Sequence, residues 1–168
     1  EKKPKPGPDP VLQTALDSPY EEDAIPVRLS SYVFDETLLG KTAALLLADI
    51  DVRSLPFVEK EGRLTNTVEY VLVAAHRETG EFFQVNQKAE MKFLPANKPK
   101  WDKSGFPVAR EFELPPGGYQ AKLVVRDVTT AKIGTVTHTF EVPPLDALRV
   151  STPVLTDTLQ KDAAGGMA

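Results

Sequence analysis

The chain has no cysteine, so no disulfide staples it and it offers neither a thiol nucleophile nor a thiolate metal site. Only two histidines and one tryptophan occur in 168 residues. His76 and His138 have no second ligand at the i, i+4 or short-loop spacing that zinc sites use, so both read as structural or surface residues. Long apolar runs are missing as well. Ala43-Ala44-Leu45-Leu46-Leu47-Ala48 falls far short of the ~20 residues of a membrane helix, which argues against membrane insertion. Positive charge is dispersed. With a net charge of −4 and no basic block beyond Lys2, Lys3 and Lys5, the concentrated cationic face that phosphate binding needs is absent, which excludes nucleic acid as a partner. The chain opens at Glu1 without methionine or signal peptide, as a processed piece of a longer protein would, so its start says little about export.

What the sequence does have is alternation punctuated by proline and glycine. Leu114 to Asp127, LPPGGYQAKLVVRD, sets Tyr119, Ala121, Leu123 and Val125 on one face of a strand, with Gln120, Lys122, Val124 and Arg126 on the other. That is the signature of a strand half-buried in an antiparallel sheet. Similar stretches run over Ile25 to Phe34, Val68 to His76, Phe82 to Phe93, Phe106 to Leu114 and Ile133 to Val142. Thr42 to Val52 is more uniformly apolar, which suits a central strand buried on both faces or one covered by a linker. Arg77-Glu78-Thr79-Gly80 reads as a hairpin turn, and Pro143-Pro144 ends the last clear strand, since proline cannot donate to a ladder. Asp9-Pro10 before Val11, Leu12, Ala15 and Leu16 predicts one short helix near 10–17, capped by the aspartate.

These elements predict an all-β fold. It is an immunoglobulin/fibronectin-like antiparallel β-sandwich of about seven strands with a short N-terminal helix. Residues 1–10 read as a proline-rich linker, 11–159 as a single sandwich domain and 160–168 as a disordered tail. The region 42–62 and the loop from Leu94 to Gly105 are its least regular stretches, and Leu148 to Leu159 is a candidate for one more edge strand. Gly117-Gly118 precede a strand rather than a helix, so they serve backbone geometry, not phosphate binding. They place Tyr119 in a tyrosine-corner position, ring in the core and hydroxyl on nearby backbone.

Constellations that carry chemistry are thin. Glu21-Glu22-Asp23 and Asp49-Ile50-Asp51 are the densest carboxylates, but neither sits in a glycine-turned loop of the kind that gathers oxygen ligands for calcium. Asp49 and Asp51 share a strand face and read as a solvated strand end. No GxSxG elbow accompanies the serines, and Asp102-Lys103-Ser104-Gly105 reads as a turn. No catalytic, cofactor-binding or metal residues are therefore assigned, and no enzyme activity is expected. Trp101 reads as a loop anchor. Of the adjacent Phe82 and Phe83, one belongs in the core and the other faces solvent.

The text PPGGYQAKLVVRDVTTAKIGTVTHTFEVP, with DPVLQTALDSP and IPVRLSSYVF before it, resembles a known family over Pro10 to Leu155. It looks like the C-terminal sandwich of exported bacterial proteins, common in Acidobacteria, that carry a von Willebrand factor A-related domain. The adhesion loop of an A-type domain is not in this chain, so no ligand-binding residue carries over. The resemblance implies a non-catalytic auxiliary interaction or spacer domain, in an extracellular or periplasmic setting. Its partner would be another protein or a neighbouring domain of the same chain. The alternative is a carbohydrate-binding module using exposed aromatics such as Trp101, with a glycan as partner.

Overall fold

A computed structural model describes residues 9–36, 42–144 and 151–153; most of the 1–10 linker, most of 148–159 and the 160–168 tail named above lie outside them. The described chain runs α1 (Pro10–Asp17), β1 (Val27–Glu36), β2 (Thr42–Ile50), β3 (Val58–Lys60), β4 (Arg63–His76), β5 (Phe82–Phe93), α2 (Lys98–Ser104), β6 (Phe106–Leu114), β7 (Gly117–Asp127) and β8 (Ile133–Val142). One sheet has the order β1-β2-β6. In the other, β4 lies between β5 and β7, β8 forms the far edge, and the short β3 lies beside the start of β4. Every pairing is antiparallel, and the result is the expected all-β sandwich. It departs from the constant-type immunoglobulin layout at β5, which stays with β4 instead of joining β6.

The core forms where the two inner faces meet. Leu46 and Ile50 of β2, Tyr70 and Leu72 of β4, and Tyr119 and Leu123 of β7 are all at most 1% exposed. The corner between the sheets is Pro115-Pro116, which carries the chain from β6 in one sheet to β7 in the other. Tyr119 fastens it, its hydroxyl donating to the Pro115 carbonyl at 2.9 Å while its ring stacks on Phe140 with centroids 5.5 Å apart. Ala121 stands two residues on, where disulfide-bonded members of this architecture carry a cysteine. Gly117 is required twice over: its φ is +144°, and a Cβ there would lie 2.1 Å from Nε2 of His76.

α1 forms where Asp9 and Pro10 predict it, with Asp9 Oδ1 accepting from the Val11 amide at 2.9 Å. It docks on the outer face of the larger sheet, where Leu12 and Ala15 bury against Val71 and Val124. The outer face of β7 is thus less polar and more covered than its alternation suggests. β2 differs in the opposite sense. It is the central strand of its sheet, but its burial strictly alternates, leaving Ala43, Leu45 and Leu47 only half-buried on the outer face. The region 42–62 holds more order than expected, because Glu61 (φ 51°) and Gly62 (φ 70°) form a tight turn pairing β3 with an extended β4. The Leu94–Gly105 loop contains α2, stopped by Gly105 at φ 74°. Of the candidate edge strand at 148–159, residues 151–153 are described, and Thr152 exchanges hydrogen bonds with Val33 of β1.

Burial, with Glu81 nearby, pushes the Tyr119 hydroxyl up to about 12. A raised folded value means this stability is full below about pH 10 and is lost as pH climbs towards 12. Tyr119→Phe should cost about 1 kcal/mol at neutral pH by orphaning the Pro115 carbonyl, and Tyr119→Ala about 3–5 kcal/mol by opening a cavity. Urea melts at pH 7 and above pH 10 check both. The Phe variant should lose less stability on the alkaline side than the wild type, and equal alkaline slopes would refute the assignment.

Candidate functional site

The two histidines do not converge. His76, at the end of β4, is spent on the β4–β5 turn: its Nδ1 accepts from the Glu78 and Thr79 amides, both at 3.2 Å. Nδ1 therefore carries no proton and Nε2–H donates to the Pro116 carbonyl at 3.3 Å, with the ring edge-on to Tyr119. His138, on β8, sits 3.0 Å from the Ser31 hydroxyl of β1 and stacks on Phe140. The Ser31–His138 contact has the distance of a nucleophile–base pair, and sequence reasoning missed it because the two residues are 107 apart. No carboxylate bonds the other ring nitrogen among the described residues. It ties the β1 and β8 edges across the seam of the sandwich.

The acidic clusters are likewise engaged. Asp49 and Asp51 line one cavity of about 270 Å³, together with Arg28, Arg53, Asp102 and Lys103. Arg53 grips Asp51 from Nε at 3.0 Å and from the guanidinium end, and this bonding holds the Asp51 carboxyl below its usual range. Arg28 stands 3.8 Å from Asp49, and Lys98 pairs with Asp102 at 2.7 Å. Three carboxylates facing three cations form a charge-balanced cleft, and no group of three metal-ligating side chains occurs among the described residues. Glu21 and Glu22 belong to a strap laid along β8: the Thr137 amide donates to Glu21 Oε1 at 2.9 Å and the Thr135 amide to the Glu22 carbonyl at 2.8 Å.

Trp101 is half-buried between Phe93 and Phe106, with centroids 6.2 and 5.8 Å away and Lys100 over the ring. It anchors α2 to the sandwich. Phe83 packs against the core, whereas Phe82 is 63% exposed.

The polar cluster that sequence did not flag is Asn66–Asp127. Asp127, fully buried at the end of β7, accepts from Asn66 Nδ2 at 2.9 Å and from the Thr130 amide at 2.7 Å. Asn66 also donates to the Pro56 carbonyl at 2.8 Å, so β4 ties the segment before β3 to the β7–β8 turn at one end of the sandwich. Burial alone would raise the Asp127 carboxyl, but the bonds from Thr130 and Asn66 outweigh it and hold the group below its ordinary value. A depressed folded value means this stability is present above the ordinary carboxylate range and is lost as pH falls through the folded value. Asp127→Ala should cost about 2–4 kcal/mol at pH 7 by stranding these donors. Asp127→Asn should cost less and weaken the loss of stability on acidification, as followed by denaturant melts from pH 7 to pH 3; an unchanged acid slope would refute the pairing.

No family model and no curated protein matches this chain. A similar solved structure is the X-ray structure of Northeast Structural Genomics Consortium target SoR45, 9% identical, covering 80% of this chain and 98% of that one at a TM-score of 0.41.

Proposed function

We propose that this is a non-catalytic interaction and spacer domain that holds a neighbouring part of its protein in a fixed direction. The observation that carries the reading is the clamping of α1, the element through which the chain enters the sandwich. Lys122 and Arg126 project from the outer face of β7, four residues and so about 13 Å apart. The eight-residue helix is about 12 Å long, so the two cations meet its two ends. Lys122 Nζ donates to the Leu16 carbonyl at 2.8 Å and to that of Ser18. Arg126 pairs with the cap residue Asp9 at 3.0 Å and with Glu69, which Lys88 also holds at 2.7 Å. A line of charge thus crosses β5, β4 and β7 and ends on the helix cap. Such an entry transmits orientation, because the chain cannot swivel at Asp9 without breaking it.

The spent polar groups support the non-catalytic side of the proposal: His76, Asp51 and Asp127 each have their bonding capacity taken up by turns, caps or arginine. The resemblance to exported proteins with a von Willebrand factor A-related domain supplies the frame, with this sandwich following such a domain outside the cytoplasm. Replacing both clamps (Lys122→Met with Arg126→Met) should leave the sandwich folded while hydrogen exchange in 10–17 rises by about tenfold or more, since both ends of the helix lose their partner on β7 together. Exchange mass spectrometry reads this directly. If α1 stays as protected as in the wild type, the clamp does not set the entry and the spacer reading fails.

A further inference from the structure

The two sheets present four edges, and three are managed. The strap at 21–25 covers the start of β8, with the Ile25 amide on the Ile133 carbonyl at 3.2 Å and Thr135 on Glu22 at 2.8 Å. Thr152 bonds to β1 at Val33. β6 carries Pro107 and turns the charged Arg110 inward over the Tyr70 ring, devices that discourage a further strand. β5 has none of these. Phe82–Phe93 contains neither proline nor glycine and pairs with β4 in unbroken register from Phe82 to Phe93.

The backbone polarity of that edge follows from one bond. His76 N donates to Glu81 O at 2.7 Å, and His76 stands opposite Glu81 by continuation of the β4–β5 register. In an antiparallel ladder the residues that bond to a given neighbour alternate, so odd-numbered residues of β5 bond to β4. Gln84, Asn86, Lys88, Glu90 and Lys92 then turn their N–H and C=O groups to the open edge, where no described residue meets them. On the inner face Val85 and Ala89 remain only half-buried beside the core.

We infer that this edge pairs with the same edge of a second copy, antiparallel about a two-fold axis through Ala89, joining the two larger sheets into one. Charge together with the length of overlap selects the register. Centring the axis on Lys88 or on Glu90 sets like charges face to face, which is unfavourable. Centring it on Ala89 sets Lys88 opposite Glu90 of the second copy, and Glu90 opposite its Lys88. The same register puts Phe93 opposite Val85 on the inner face, covering apolar surface that one copy leaves half-exposed. Asn86 and Lys92 face each other, and the small Ala89 side chains meet at the axis, a position where the strands approach closely. The association is isologous and closes at two copies. It does not rest on the spacer reading, which is tested at α1 through Lys122 and Arg126, although Lys88 also pairs with Glu69.

Sedimentation of the full chain over a concentration series should show a reversible dimer. Glu90→Lys, at an exposed position, should weaken it by about tenfold or more, because two like-charge pairs replace two opposite ones. Adding Lys88→Glu to Glu90→Lys should restore it. The chain has no cysteine, so Ala89→Cys introduces a single thiol. Across a non-hydrogen-bonded pair its Cα atoms would lie about 4.5 Å apart, within disulfide range, and mild oxidation should link two copies. Asn86→Cys, which faces Lys92 in this register, should not link. A monomer at every concentration, a Glu90→Lys dimer as tight as the wild type, no rescue by the double variant, or equal linking at both cysteines would each overturn the inference.

Discussion

The hydrogen bond from the Tyr119 hydroxyl to the Pro115 carbonyl is the constraint on which the rest of the sandwich depends. Between Leu114 and Gly117 the chain has two residues in which to leave one sheet and enter the other, whose faces stack about 10 Å apart. Two prolines limit the backbone there, and the tyrosine fixes what freedom remains by bonding back across the corner. Its ring spreads the constraint: His76 stands edge-on to it, Phe140 stacks on it, and His138 stacks on Phe140 and reaches Ser31 in the opposite sheet. The corner, the β4–β5 turn and the β1–β8 seam are therefore one connected arrangement. Gly117 belongs to it for a steric reason, since any side chain there would collide with His76.

Polar residues that could have been chemical are spent on geometry. A histidine whose Nδ1 accepts two backbone amides is committed to a turn, and a carboxylate held in an arginine fork is committed to a cap. Asn66 and Asp127 do the same at the opposite end of the sandwich from His76, bonding loops that have no ladder of their own. The structure uses charge on its surface in a different way, as a line from Lys88 through Glu69 and Arg126 to Asp9 that fastens the entering helix. Lys88 and Asp9 are exposed at the two ends of this line while Glu69 and Arg126 are largely covered in its middle, and a shared line ending on a helix cap restricts one direction of motion more than its members would singly.

Among the sheet edges, the contrast between β5 and the other three is one of protection. A strap, a bonded threonine and a proline with an inward arginine each interrupt pairing, whereas β5 offers an uninterrupted row of backbone groups. Its outer face is polar and charged, and its inner face tapers from buried Met91 and Phe93 to half-exposed Val85 and Phe83.

Local chemistry was enough to read most of the elements from sequence. Alternation at period two gave the bounds of β5, β6 and β8 and the end of β7, because each side chain's burial depends only on which face it takes. Asp9-Pro10 announced α1, and Pro-Pro-Gly-Gly-Tyr announced the corner, since cap and turn preferences act over a few residues. The Glu61-Gly62 turn and α2 went unread: the first lacks the usual Asn or Asp before glycine, and the second is too short to show a 3.6-residue period. The alternation of β7 could not reveal that Val124 would be buried under α1, nor could the apolar run of β2 show that its outer face stays half open. Ser31 with His138, Asn66 with Asp127, and the charge line to Asp9 were also invisible. These contacts join residues on different strands, and side-chain types along the chain carry no information about which edges a fold brings together. Sequence by itself determined a sandwich and its corner; tertiary structure alone decided which polar groups meet, which edges are covered and which edge no described residue covers, because those depend on packing between distant segments.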